Sequence, residues 1–421
     1  MADGVTDNGP GPERGPVTVG VPSETRPGER RVAATPATVT ALTRSGARVV
    51  VESGAGAESG FSDAAYADKG ATIGSRDDVF AADVVAAVRV LDGDPQSPDL
   101  QRLRAGQVVV GMAAPFAQPD LVRALTERGV TLFALELVPR ITRAQAMDVL
   151  SSQANVAGYK AVIMAADALP KMFPLLTTAA GTIAPARVFV VGAGVAGLSA
   201  IATARRLGAL VEAYDVRPAV KEEVQSLGAR FVELDLETGQ EGEGSGAYAQ
   251  QMSEETLRRQ RELMAKVVAG SDVVITTAQV QGAVAPVLVT EEMVRGMAPG
   301  SVVVDLAAEQ GGNCEVTKAG EIVEVGGVRV IGPRDVPSQA PHHASLMYAK
   351  NVSNFVALMV SDGALATDVD DQVVRETCAC RGGEVVHPRL REAMGLAPPE
   401  PAEEQTEVMP ESGEETEEVA R

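Results

Sequence analysis

VFVVGAGVAG, residues 188–197, decides how the rest of this 421-residue chain is read. Val188 to Val191 has the length and β-branched content of a strand buried on both faces. It runs directly into the pattern G-x-G-x-x-G, after which the spacing of apolar residues to Arg206 predicts a helix. In such a strand–turn–helix unit Gly192 permits the tight turn, Gly194 lets a pyrophosphate approach the backbone, and Gly197 allows close packing of helix on strand. The phosphates then meet the helix N-terminus, where unpaired N–H groups and the helix dipole favour anions. Three glycines alone are weak evidence, and a glycine-rich turn with no ligand is the bland alternative. Here, however, the next strand ends at Asp215, 23 residues after Gly192. A carboxylate at that point takes adenosine ribose hydroxyls and repels a 2′-phosphate, which favours NAD(H) over NADP(H). Arg217 pulls the other way, because an arginine there can receive the phosphate.

Outward from this unit the chain alternates strand and helix. Arg187 opens a series continued by strands at Val211–Val216, Val273–Thr277, Val302–Leu306 and Val328–Ile331. A separate series precedes it: strands at Val17–Val21, Ala47–Val51, Val84–Val90, Val108–Met112 and Val130–Glu136, with helical spacing over Pro36–Ser45. Alternation of this kind means parallel strands joined by crossovers. The expected fold is α/β, two doubly wound Rossmann-like lobes around a cleft. The first lobe spans residues 17–150 and is completed by 335–395, and the nucleotide-binding lobe spans 151–334. The apolar segment Met147–Leu176 is expected to be a helical spine between them, and His343–Val360 a helix returning to the first lobe.

Gly54-Ala55-Gly56-Ala57-Glu58-Ser59-Gly60 also follows a strand. Its third glycine comes one residue late and Glu58 sits where phosphate would go, so it reads as a first-lobe loop. ETGQEGEGSGAYAQQ, residues 237–251, is far longer than a simple crossover needs and is expected to be mobile.

The formal net charge is −20, and its placement matters. Residues 1–16 and 397–421 together hold half of it, the second stretch with nine Glu against one Arg. Both termini are expected to be disordered, the tail from 396 because it is too poor in apolar residues to pack. No concentrated Lys/Arg surface is available for phosphate neutralisation, so nucleic acid is not the expected partner. The richest apolar stretch, Val156–Gly181, is interrupted by Lys160, Asp167, Pro170 and Lys171, so no membrane span is expected. The N-terminus lacks the apolar core of a signal peptide, and the expected location is the cytoplasm. Cys378-Ala379-Cys380 with His387 lacks a fourth ligand and a zinc-like spacing. It reads as reduced thiols with no metal.

Arg140-Ile-Thr-Arg143-Ala-Gln145-Ala-Met-Asp148-Val-Leu-Ser151 lies where the first lobe gives way to the second. Asp148 and Ser151 share a helix face, with Gln145 one turn earlier. An arginine, an amide, a carboxylate and a hydroxyl projecting into a cleft are able to hold a nicotinamide carboxamide and its ribose. A helix cap plus a surface ion pair explains the same spacing equally well. A dehydrogenase acting on an alcohol or amine also needs a proton acceptor, usually His or Lys. The three histidines, His342, His343 and His387, all lie outside residues 17–150, and Lys69, Lys160 and Lys171 sit in helix-like contexts.

From Val17 to about Arg391 the chain resembles domain I, the NAD(H)-binding alpha component, of the proton-translocating NAD(P) transhydrogenases, relatives of alanine dehydrogenase. VGVPSETRPGERRVAATP, PRITRAQAMDVLSSQANVAGYKAV, VGAGVAGLSAIATARRLGA with DVRP, DLAAEQGGNC and AKNVSNF carry the resemblance, and RITRAQAMDVLSSQ is typical of the transhydrogenase branch. The resemblance implies that Arg140, Gln145, Asp148 and Ser151 form the nicotinamide loop. It implies a cofactor-binding set of Gly192, Gly194, Val195, Ala196, Gly197, Asp215, Val216, Arg217, Thr277 and Ala278, with Tyr248 on a mobile loop that closes over the nucleotide. Alanine dehydrogenases lack that insertion. They carry a catalytic lysine and histidine where this chain has Val88-Arg89-Val90 and Gly111-Met112-Ala113-Ala114. Two departures from the family pattern stand out: Gln281 where a proline is usual, and the pair His342-His343, read as helix-start residues.

The function this resemblance implies is that of the NAD(H)-binding subunit of a Si/Re-specific, proton-translocating transhydrogenase, handing a hydride from NADH to NADP⁺ on a partner subunit. The implied partners are a second copy of the chain, an NADP(H)-binding domain III and a membrane domain II that would hold it at the inner face of the cytoplasmic membrane. The alternatives are an alanine dehydrogenase-like oxidoreductase and a non-catalytic NAD-binding protein.

Overall fold

The structure is a computed structural model and describes residues 15–233, 254–279, 282–367 and 370–398. Tyr248, Gln281, the whole 237–251 insertion and nearly all of both acidic termini lie outside the described residues. Two mixed sheets dominate. In the eight-stranded sheet, the strands from edge to edge begin at residues 384, 378, 131, 108, 84, 18, 48 and 72. Those from 131 to 72 are all parallel, and Cys378–Arg381 adds antiparallel to Thr131–Ala134. The seven-stranded sheet runs 230, 210, 187, 273, 302, 328, 322, antiparallel only at its last pair. Both are doubly wound α/β sheets of the anticipated kind.

The strands of the second sheet are uniform because both faces are covered: Val188–Val191, Val273–Thr276 and Val302–Asp305 are buried throughout. Each sheet reverses winding direction beside its first strand, between Thr18–Val21 and Val84–Arg89 in one and between Arg187–Val191 and Val273–Thr276 in the other. Open α/β sheets bind ligands in the crevice at the carboxyl ends of such strands. Here the two crevices face each other. Arg89, at the carboxyl end of its strand, reaches Asp335 just beyond Val328–Ile331 (Nη2 to Oδ1, 2.5 Å), and Arg26 lies 3.6 Å from Glu309.

The spine helix covers Val149–Ala168, shorter than the sequence suggests. Pro170 and Pro174 cannot continue a helix, and the remaining residues form a small hairpin, Leu176–Thr178 with Gly181–Ile183. Gly158 sets how the spine packs. A Cβ there would lie 2.1 Å from the carbonyl oxygen of Ala196, so the spine backbone rests against the first turn of the helix Val195–Arg206. The helix Pro341–Val356 returns to the eight-stranded sheet, burying Tyr348, Val352, Phe355 and Val356 with Val19, Val88 and Phe133.

Candidate functional site: a dinucleotide cleft

The glycine turn has the geometry its spacing predicts. Gly192 has φ +98°, and a Cβ on it would meet the Thr277 hydroxyl at 2.6 Å. At Gly197 a Cβ would stand 1.9 Å from the Gly192 carbonyl oxygen, so helix and strand close only on glycine. Gly194 differs. Its φ is −76° and nothing lies within 4 Å of its Cβ position. Protein packing therefore does not demand glycine there, whereas a ligand lying on the backbone does. Gly194 is also the N-cap, without a side chain to cap the twelve-residue helix Val195–Arg206. Its first N–H groups, on Val195 and Ala196, are left for an anion. The cradle fits a pyrophosphate.

Asp215 stands at the end of its strand, as expected, but is fully engaged. Oδ2 accepts from the Ala193 N–H (2.7 Å) and Arg217 Nη2 (3.0 Å), and Oδ1 accepts from the Arg217 backbone N–H and Nε (both 2.9 Å). Burial works to raise its pKa; the Arg217 side chain and the two N–H groups outweigh it and hold the carboxyl below its ordinary value. Val216 is exposed on the same loop. Thr277 and Ala278 form the opposite lip: the Thr277 N–H donates to Val191 O (2.9 Å) and its hydroxyl to Gly192 O (3.1 Å).

Ala278 is held by a residue that sequence reasoning passed over. Asn313, fully buried, accepts from the Ala278 N–H (2.9 Å) and donates to the carbonyls of Ala278 (2.8 Å) and Pro286 (2.9 Å). Asp305 anchors the same segment by accepting from Thr276, Ala307, Cys314 and Thr317. The only sequence signal was the turn-rich DLAAEQGGNC itself.

On the other wall, the segment 140–151 is a 3₁₀ turn, Thr142–Met147, leading into the spine helix. Asp148 is the helix N-cap: Oδ1 accepts from the Ser151 N–H (2.9 Å) and Oδ2 from its hydroxyl (2.5 Å). Arg143 pairs bidentately with Asp371 at 2.6 and 2.7 Å. Cap and ion pair both exist, so the structural reading of that spacing is realised. Gln145 and Arg140 remain exposed, and Arg140 and Asp148 border one cavity. The structure thus brings Asp148 and Ser151 into contact and Arg140 beside Asp148.

Between the walls lies a buried ionic network. Arg31 pairs with Glu29 (2.6 Å) and donates to Gln153 (2.9 Å), while Arg89 Nε is 3.6 Å from Glu29. Burial works to raise the Glu29 pKa, but the Arg31 side chain overrides it and holds it at about 2. Glu24 and Glu136 splint the strand ends, Glu24 accepting from the Val88 and Arg89 N–H groups and Glu136 from those of Ala113 and Ala114.

Several other sequence features resolve in packing. In the 54–60 loop a Cβ on Gly56 would strike the Tyr66 ring at 2.6 Å, which explains that glycine without a ligand. His342 and His343 are exposed at the start of their helix, His342 stacked on Phe61. Cys378 and Cys380 are buried on the strand Cys378–Arg381. No helix among the described residues is long and apolar enough to cross a membrane.

Two facing doubly wound sheets with a glycine-turn anion cradle define a two-lobed α/β protein of the dinucleotide-binding type. The chain belongs to the alanine dehydrogenase/PNT family, whose N-terminal domain model matches residues 20–157 and whose C-terminal domain model matches 161–388. It is 44% identical over 373 residues to NAD(P) transhydrogenase subunit alpha of Haemophilus influenzae, covering 88% of this chain and 72% of that one. The alanine dehydrogenase of Bacillus subtilis is 30% identical, over 90% of this chain and 94% of its own. Among solved structures, transhydrogenase from Sinorhizobium meliloti superposes with TM-score 0.77 at 45% identity, covering 88% of this chain and 99% of that chain.

Proposed function

We propose that the chain is the NAD(H)-binding alpha subunit, domain I, of a proton-translocating, Si/Re-specific NAD(P) transhydrogenase, passing a hydride from NADH to NADP⁺ held on a partner subunit. The observation that carries this reading over the alanine dehydrogenase alternative is the occupation of Arg89. Where that branch carries its catalytic lysine this chain has Val88-Arg89-Val90, with Arg89 ion-paired to Asp335, and where it carries its histidine this chain has Gly111-Met112-Ala113-Ala114. Arg31 is likewise closed by Glu29 and Gln153. An amino or oxo acid needs a cation for its carboxylate and a base for its proton, and both guanidinium groups here are already paired to carboxylates of the chain itself. Transfer between two nicotinamides needs neither.

The N–H groups behind Gly194 receive the pyrophosphate, and Asp215, once Arg217 turns aside, takes the adenosine ribose. Arg140 and Gln145 orient the nicotinamide from the loop that Asp148 and Ser151 pin to the spine. Bound dihydronicotinamide supplies the hydride, with no proton moving on a protein group. The work of the chain is to hold one ring face open toward the partner while keeping water away. The remaining partners are a second copy of this chain, for which the exposed hairpin with Leu175, Leu176 and Ile183 supplies an apolar surface, and the membrane domain II, which would keep a cytoplasmic protein at the membrane's inner face.

The test is to mix the full chain with the NADP(H)-binding component of a relative and follow NADPH-dependent reduction of an NAD analogue. Transfer is expected; none, with both proteins folded and both nucleotides bound, rejects the reading. NADH oxidation that depends on pyruvate and ammonia would establish the alternative.

A further inference from the structure

A cavity of about 220 Å³ opens beside the segment 140–151, room for a ring and its amide rather than for a whole dinucleotide. Arg140 and Asp148 form one side. The other side comes from the far end of the chain, Glu376, His387 and Arg389. Leu137 and Leu150 add apolar wall. His387 is about nine-tenths buried and its Nδ1 has no hydrogen-bond partner. A buried polar atom left unmatched is costly, so each such atom calls for an explanation. Ring packing holds His387 at the cleft. It meets Phe116 edge-on with centroids 6.5 Å apart, and Phe116 in turn lies against Gly282 of the opposite lobe, 3.1 Å from where a Cβ on Gly282 would be.

The chemistry around this atom selects a ligand class. Arg140 and Arg389 supply donors; Asp148, Glu376 and Glu136, which also borders the cavity, supply acceptors. With charges of both signs present, an anion gains little. A neutral planar amide on an aromatic ring, carrying one acceptor and two donor hydrogens, matches donors, acceptors and apolar wall together.

We propose that His387 is a binding residue for the nicotinamide end of the dinucleotide, its free ring nitrogen meeting the carboxamide in the cavity it shares with Arg140 and Asp148. This rests on the dinucleotide reading and adds to it a wall built from the returning C-terminal segment. Bringing that segment into the site ties the first lobe's last strands to the hydride-transfer end of the cleft.

The experiment compares NADH with ADP-ribose, which lacks the nicotinamide, by titration calorimetry on the full chain. His387→Phe keeps the ring against Phe116 and removes both nitrogens; His387→Gln restores a polar atom. NADH affinity is expected to fall about tenfold in His387→Phe, in line with one lost buried hydrogen bond. ADP-ribose affinity is expected to stay within about twofold, a readout that also reports folding, and His387→Gln to recover most of the NADH loss. Unchanged NADH affinity in His387→Phe, or equal loss of both ligands in both variants, overturns the proposal. Wild-type chain that binds neither ligand defeats the dinucleotide reading itself, a distinct outcome.

Discussion

Arg217 wraps Asp215 with its own side chain and backbone, so the four acceptor positions of the carboxylate are filled by protein donors at 2.7–3.0 Å. A ribose diol must displace the guanidinium to reach it. Arg217→Ala is therefore expected to bind NADH at least as tightly as wild type, while Asp215→Asn loses about tenfold or more, the scale of a charge-assisted hydrogen bond. Enhancement of nicotinamide fluorescence measures both, unobscured because the chain has no Trp. Weaker NADH binding in Arg217→Ala would show that the arginine itself contacts the nucleotide.

Gly158 and Ala196 set the distance between the spine and the anion cradle. A Cβ at 2.1 Å from a backbone oxygen cannot be absorbed by a rotamer change, so Gly158→Ala should destabilise the fold by about 1–3 kcal/mol, the usual cost of overpacking. It should also weaken NADH binding by shifting the helix N-terminus. Urea denaturation with NADH titration of the folded fraction tests both. A neutral outcome would mean the two helices separate freely.

Asn313 satisfies three backbone groups around Ala278 and Pro286. Asn313→Ala leaves buried polar groups unmatched and should cost about 1–3 kcal/mol. It should also loosen the lip of the cleft, seen as faster amide hydrogen exchange at residues 277–279. Protection equal to wild type would count against the clamp.

Glu24 gives a pH signature. Burial, and then the charge of Glu29, push its pKa from 4.5 up to about 8, against the Val88 and Arg89 N–H groups. Between those two values the folded protein keeps a proton that the unfolded chain has released, so this group's contribution to stability falls as pH rises from about 4.5 to 8. Glu24→Gln cannot release a proton. Its urea midpoint should change less than that of wild type between pH 5 and pH 8.5, and identical pH profiles would show that Glu24 titrates normally.

Leu175 (60%), just before the hairpin Leu176–Ile183, and Ile183 (45%) at its end are exposed. If the hairpin joins two copies, Leu175→Asp with Ile183→Asp should turn a dimer into a monomer in sedimentation velocity without loss of secondary structure. A wild-type chain that sediments as a monomer at micromolar concentration rejects that surface.

The alternation of apolar runs, the glycine spacing at 192, 194 and 197, and the strand ending at Asp215 were enough to read two doubly wound lobes, because buried parallel strands and tight turns are specified by local residue types. Local sequence also located the 140–151 segment, but left undecided whether Asp148 and Ser151 bind a ligand or cap a helix, since both uses need the same two residues on one face. The tertiary structure decided what depends on long-range proximity. It paired Arg89 with Asp335 across 246 positions, let Asn313 clamp Ala278, and set His387 in the cavity of Arg140. It also ended the spine at Ala168 and folded the following residues into a hairpin. Periodicity carries no information about which distant side chains meet; burial and hydrogen-bond satisfaction in the closed cleft do.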